Sequence, residues 1–360
     1  MKPCLLIFLL GITLFSFGCK SNLTFLAISA STKADGGIYF VDNKEIKQAI
    51  SLPTSNYIIN SNDNFYVTLN RVENSKFGGV ALLKRLSNGN FVLQDVKNYS
   101  VKTPCHLVLS PNLEYLYIAN YSSSSITQIK LDKGNLTNQT KYIKHEGKSI
   151  TRRQKFSHPH FVGFNPLGNQ LFVCDLGTDQ IFIYNFDAKF GINEKSVKTL
   201  SLPPGSGPRH LVFSKDGKAI FVNCELNSTV VSFVLDEKTN LWKQVLVLST
   251  LKEKSSLKNN YPGAIKIASC GRYFFVTNRG HNSIAVYKVL PYGKFTLLDV
   301  VKVNGNFPSD ILFLDKDKVL AVMYYKSNMI SLFDFDYHKE KLLPQAETIP
   351  IVKGISLGNF

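Results

Sequence analysis

The sequence predicts an all-β chain folded as a seven-bladed β-propeller, with four antiparallel strands in each blade. Three observations carry that expectation. A strand–turn–strand phrase recurs as "YIANYSSSSITQI" (117–129), "FVCDLGTDQIFIY" (172–184), "FVNCELNSTVVSF" (221–233), "FVTNRGHNSIAVY" (275–287) and "AVMYYKSNMISLF" (321–333), with weaker copies at "LAISAS" (26–31) and "YVTLNR" (66–71). The seven anchors, from Ile28 to Val322, lie about 49 residues apart on average, which is blade length. Each strong copy is also preceded by a strand and a tight turn.

The elements follow from residue chemistry. "HLVLSPNLEYLYIAN" (106–120), "HFVGFNPLGNQLFVCD" (160–175) and "HLVFSKDGKAIFVNC" (210–224) each read strand, turn, strand. Pro111, Pro166 and the Asp216-Gly217 pair supply the turns. The strands alternate or are wholly apolar, as sheets stacked face to face require. A lone four-stranded sheet cannot cover both faces, so radial stacking into one ring, residues 23–360, is expected rather than two domains. The first two copies are closer together, and residues 340–360 are candidates to complete a blade with an N-terminal strand.

Composition narrows the function. Hydrophobic residues make up 44% of the chain, which argues against disorder. The formal charge of +16 comes from scattered lysines, so the expectation is a solvated basic surface and no nucleic-acid role. An anionic small ligand is the remaining use for that charge. The first nineteen residues, "MKPCLLIFLLGITLFSFGC", place one lysine before an apolar run and small residues at the end, as a signal peptide does. Gly18 before Cys19 further suggests a lipoprotein signal in which Cys19 is lipidated and tethers an exported protein to the bacterial cell envelope. Cys105, Cys174, Cys224 and Cys270 show no metal-like spacing and are expected to be free thiols. No phosphate loop, nucleophile elbow or metal-binding motif is present, so neither cofactor nor metal is expected.

Overlaying the repeats exposes residues that a scaffold does not need. "TPCHLVLS", "SHPHFVGF" and "GPRHLVFS" align His106, His160 and His210 at the start of a blade's first strand. Tyr121, Leu176, Glu225 and Arg279 share one position after the second strand. In a ring, equivalent positions sit at similar heights around the axis and can face the channel mouth. The same residues also suit structural work: histidines that bond backbone, a Glu225–Arg279 ion pair, and Arg209 capping carbonyls between blades. Asp175 and Asp179 of "DLGTD" suit backbone hydrogen bonding.

The phrases "SHPHFVGF", "DLGTD", "GPRH", "CEL" and "NRGHNSI" together resemble the lactonase family of seven-bladed propellers. That family includes propeller-type 6-phosphogluconolactonases and carboxymuconate lactonizing enzymes. The likeness runs from about Leu26 to Phe335 and is strongest from His158 to Tyr287. The resemblance implies an active site of His160, Arg209, Glu225 and Arg279, with His158, His210 and Asp175 as further substrate contacts. It implies a small anionic lactone or sugar acid as substrate. His160 would act as general base, Glu225, its pKa raised by partial burial, as a proton-transfer partner, and the two arginines as anion clamps. The chain departs from the family at Ala264, where an acidic residue is common, at Ser269–Cys270 in a turn, and at Ser122–Ser124 in place of a glycine run. An exported chain points away from a cytosolic sugar phosphate and toward another lactone. The alternative is an exported, non-catalytic propeller that binds a protein or glycan.

Overall fold

The computed structural model describes residues 23–253 and 259–360. The leader and Cys19 lie outside the described residues. Seven four-stranded antiparallel sheets form the ring. We number blades by chain order and give their first, innermost strands: Ser55–Ser61 (blade 2), Pro104–Leu109 (3), Pro159–Phe164 (4), Pro208–Phe213 (5), Tyr261–Ile267 (6) and Pro308–Leu314 (7). Blade 1 is completed from both chain ends. Gly354–Gly358 lies innermost, paired antiparallel with Thr24–Ser29 through Leu26↔Gly358 and Ile28↔Ser356, and Gly37–Asp42 and Glu45–Ser51 follow outward. The C-terminal segment therefore closes the ring by completing blade 1 as its innermost strand.

Packing explains why the ring is cooperative. Apolar side chains gather into seven clusters, each shared by two adjacent blades. Between blades 5 and 6, for instance, Phe221 stacks on Phe274 at 4.9 Å, and Phe274 stacks on Tyr287 at 4.7 Å. Each such fully buried ring contributes roughly 1.5–3 kcal/mol. Ring closure puts a similar cluster between blades 7 and 1, where Phe25 and Ala27 meet Ala321 and Met323. The first hairpin turn is built alike in blades 3, 4, 5 and 6: the fourth residue after the strand donates N–H back across the turn. That residue adopts φ near +70° in Gly168, Gly217 and Gly271, and Leu113 takes the same region at φ 59°.

One irregularity recurs and prepares the site. Every innermost strand carries a one-residue bulge near its start. In blade 3 Pro104 opposes Asn120 and His106 opposes Ala119, so Cys105 is extra. The same skip falls on His160 in blade 4, Arg209 in blade 5 and Ser309 in blade 7. A bulge breaks strict alternation and re-aims the side chain. It also corrects the overlay made from sequence. Leu107, Val162 and Leu211 pair with Ile118, Val173 and Val222, so His106 and His210 are matched by Phe161, while His160 is matched by Cys105 and Arg209. The sequence "HPHF" lacks one residue between proline and the histidine of its neighbours, which hid the shift.

Among the described residues there is no α-helix, only two three-residue 3-10 turns at Tyr121–Ser123 and Arg152–Gln154. No helix among them is long and apolar enough to cross a membrane. Cys105, Cys174, Cys224 and Cys270 are free, as expected.

Candidate active site

The bulged residues and those leaving the second strands face one cavity of about 330 Å³ at the axis. His160, Arg209, Glu225 and Arg279 all line it, with His210 and Arg153. They come from three blades, 4, 5 and 6, and one loop. The equivalence of Tyr121, Glu225 and Arg279 holds in the structure, because each directly follows a residue paired with the start of its blade's first strand. Leu176 occupies that place in blade 4 and is buried.

Glu225 is the centre of charge. Its side chain is 5% exposed and meets three guanidinium groups. Arg279 donates Nη2–H to Oε2 at 2.6 Å. Arg153 donates Nη1–H to Oε1 at 2.5 Å. Arg209 Nε lies 3.0 Å from Oε2, but at an angle that makes an ionic contact rather than a hydrogen bond. Burial pushes the Glu225 carboxyl up, yet Arg279, Arg209 and Arg153 outweigh burial and hold it well below the usual carboxylate range. The sequence-based expectation that burial raises this carboxyl is therefore overturned. A group held so low is a fixed anion near neutral pH, unsuited to carrying a proton.

The arginines differ in how they are held. Arg209 donates from Nη1 to the Gly263 carbonyl at 2.8 Å, and the same nitrogen lies 3.2 Å from His210 Nε2. Its pKa falls to about 10, first through burial and then through the neighbouring Arg279, despite Glu225. Arg279 donates to the carbonyls of Tyr261 and Pro262 and stacks over the Phe307 ring at 5.3 Å. Both arginines thus cap backbone between blades and also face the cavity.

Three histidine rings pack near the axis. His106 and His160 lie 5.3 and 5.2 Å from His210 between ring centroids. Burial, followed by nearby positive charge, holds all three well below the ordinary histidine value, so each is a neutral imidazole near pH 7. For His160 the charge is Arg209. His160 Nδ1 is buried without a hydrogen-bond partner. No cluster of three or more potential metal ligands is found among the described residues.

Two predicted contacts do not reach the cavity. Asp175 is fully buried, and its carboxylate accepts from Ser157 Oγ, from the N–H groups of His158 and Gly177, and contacts His145 Nδ1 at 3.2 Å. With its oxygens occupied by the loop it anchors, Asp175 has none to offer a substrate. His158 stacks on Tyr121 at 4.3 Å and donates Nδ1–H to the Tyr121 carbonyl at 2.9 Å. It orients Tyr121 instead of lining the site.

Sequence reasoning missed Arg153. It sits on the loop between blades 3 and 4, outside the repeat, so overlaying blades could not find it. Its signals are local and lie at capping-box spacing: the Thr151 carbonyl accepts from the Gln154 N–H, and the Gln154 side chain accepts from the Thr151 N–H. Gln154 is buried and donates to Asp179 Oδ1 and the Leu176 carbonyl, which fixes the neighbouring arginine over Glu225.

Residues 26–357 match the family model described as "Lactonase, 7-bladed beta-propeller". The 6-phosphogluconolactonase of Bacillus subtilis (strain 168) is 28% identical over 327 residues, covering 87% of this chain and 92% of that protein. A crystal structure from Lactobacillus plantarum superposes with TM-score 0.85 at 25% identity, covering 93% of this chain and 98% of that one. The periplasmic gluconolactonase of Pseudomonas aeruginosa superposes with TM-score 0.83 at 23% identity, covering 93% and 98%, and shares the fold. The chain belongs to the seven-bladed β-propeller lactonase family, and its activity class is that of a lactone-hydrolysing carboxylic-ester hydrolase.

Proposed function

We propose that the protein opens a sugar lactone bearing negative charge, with His160 as general base. The observation that carries this reading is one buried carboxylate shared by three arginines on a cavity that also holds a neutral imidazole whose Nδ1 has no hydrogen-bond partner. With Glu225 fixed as an anion, the arginines still leave the cavity net positive, which favours an anionic guest. The volume suits a single sugar ring.

In this reading His160 takes a proton from a water molecule as the water oxygen bonds to the lactone carbonyl carbon. Charge developing on the carbonyl oxygen falls in the field of Arg209 and Arg279. The ring C–O bond then breaks, and the departing alkoxide takes the proton back from the imidazolium, leaving a free hydroxy acid. Glu225 keeps the arginines in place and their charge partly balanced. The family relationship to a 6-phosphogluconolactonase supports the same chemistry.

The test is hydrolysis of a panel of aldonolactones, phosphorylated and not, followed as acid release above the spontaneous rate. An excess rate on at least one lactone is expected. No excess on any, together with capture of a specific protein or glycan, would replace this reading with a binding module. We also propose export, on the leader pattern of residues 1–19, with Cys19 as the lipidated anchor. Labelled fatty acid should enter the wild type and be absent from Cys19→Ser.

A further inference from the structure

We propose that Arg153, rather than Arg209 or Arg279, is the residue that receives the substrate's own anionic substituent, and that it sets the preference between charged and neutral lactones. The inference rests on the hydrolytic reading above and assigns the charge recognition within it.

The argument compares the three guanidiniums. Arg209 is anchored to the Gly263 carbonyl and Arg279 to the carbonyls of Tyr261 and Pro262, and both side chains are only 12% exposed. Turning either toward a ligand would break these charge-assisted bonds to the backbone, each worth about 1.5–3 kcal/mol. Arg153 has no backbone carbonyl to release. Its side chain is 44% exposed, and its partners are Glu225 and the Tyr121 hydroxyl at 3.2 Å. Glu225 would not be left bare if Arg153 turned away, because Arg279 and Arg209 remain beside it. The guanidinium can therefore exchange a carboxylate for an incoming phosphate or carboxylate at small cost, and a planar fork suits either group.

Its backbone, by contrast, is held firmly. Ser149 Oγ and Gln154 Nε2 donate to Asp179, and the N–H groups of Gly205 and Gly207 donate to the same carboxylate. Asp179 thus locks the Arg153 loop to the turn that carries Arg209. A fixed base with a free head group is the arrangement of a specificity residue: the charge is presented at the mouth, while the reacting groups stay deeper. Tyr121, oriented by His158, supplies a hydroxyl beside it.

The experiment measures kcat/KM for glucono-1,5-lactone, its 6-phosphate and a lactone bearing a second carboxylate, in wild type, Arg153→Gln and Arg153→Lys. The expected result is a 10- to 100-fold loss of preference for the charged lactones in Arg153→Gln, carried mainly by KM, with Arg153→Lys recovering part of it. Loss confined to the phosphate arm identifies a phosphate, and loss confined to the carboxylate arm a carboxylate. Equal losses on all three lactones would overturn the proposal and make Arg153 a support for Glu225. Should the wild type hydrolyse none of them, calorimetric binding of 6-phosphogluconate and gluconate separates the two ideas. A preference for the phosphorylated acid that disappears in Arg153→Gln keeps the assignment without the hydrolysis, and no preference ends it.

Discussion

Glu225 and Asp179 are equally hidden, each 4% exposed, yet they are satisfied in opposite ways. Asp179 receives only neutral donors: a serine hydroxyl, a glutamine amide and two glycine N–H groups. Glu225 receives three full positive charges and faces a cavity. Neutral donors give a carboxylate a stable seat and nothing that a ligand could disturb. Charged partners make a cluster whose balance shifts when another anion arrives. The contrast separates scaffold from site within one loop system, since the loop between blades 3 and 4 touches both.

Removing the charge at Glu225 should break the comparison most severely. In Glu225→Gln three arginines lose their common counterion inside a low-dielectric pocket, and loss of one partner from a buried ion pair costs about 3–5 kcal/mol. Lactone hydrolysis should fall below detection and Tm should drop. If Tm is unmoved, the cluster contributes nothing to stability and its role is confined to the ligand.

His160→Ala comes next. Loss of a general base typically lowers the rate by about 10²–10⁴-fold. Here the effect should appear in kcat with little change in KM, since a neutral ring does not hold substrate charge. An unchanged kcat would assign the base to another group.

Acid should separate the two kinds of group by pH window. Burial holds the folded-state pKa values of His106, His160 and His210 below the ordinary histidine value, so the unfolded chain binds protons first as pH falls. Stability is therefore full above about pH 6.5 and declines below it, by about 1.4 kcal/mol per pH unit for each histidine involved. Glu225, also depressed, adds its loss only below about pH 4.5, where its unfolded form begins to protonate. Thermal melts from pH 8 to 4 should show a steepening near 6.5 that His106→Phe reduces.

Much of this was legible beforehand, and the failures have identifiable causes. Blade number follows from periodicity, whereas the set His160, Arg209, Glu225 and Arg279 rests on the resemblance to the lactonase family, since overlaying repeats aligns Glu225 with Arg279 but does not single out Arg209. The exact matching of His160 was missed because the histidines were aligned with one another; Pro104, Pro159 and Pro208 give the true match, since the same bulge follows each of them. Glu225's ionisation was misjudged, since burial was weighed without knowing that Arg153 and Arg209 also close on it. Asp175 looked available because a motif shows the carboxylate but not the Ser157, His158 and Gly177 donors that occupy it.

The smallest effect should come from Asp179→Asn, which keeps the shape and removes the charge. One oxygen becomes an NH₂ group and faces donors: either Ser149 Oγ and the Gly205 N–H, or Gln154 Nε2 and the Gly207 N–H. With the NH₂ toward Ser149, the hydroxyl turns to accept from it, so only the bond from the Gly205 N–H is lost, at roughly 1–3 kcal/mol. The fold should survive, because the seven apolar clusters between blades do not involve this residue. What loosens is the backbone beneath Arg153, so amide exchange should rise across residues 145–158 while the blades stay protected. If Arg153 reads substrate charge from a fixed base, preference for the phosphorylated lactone should shrink in proportion to that loosening, although the mutation lies outside the cavity. Preference kept intact on a loosened loop would show that the guanidinium is positioned by Glu225 and Tyr121 alone.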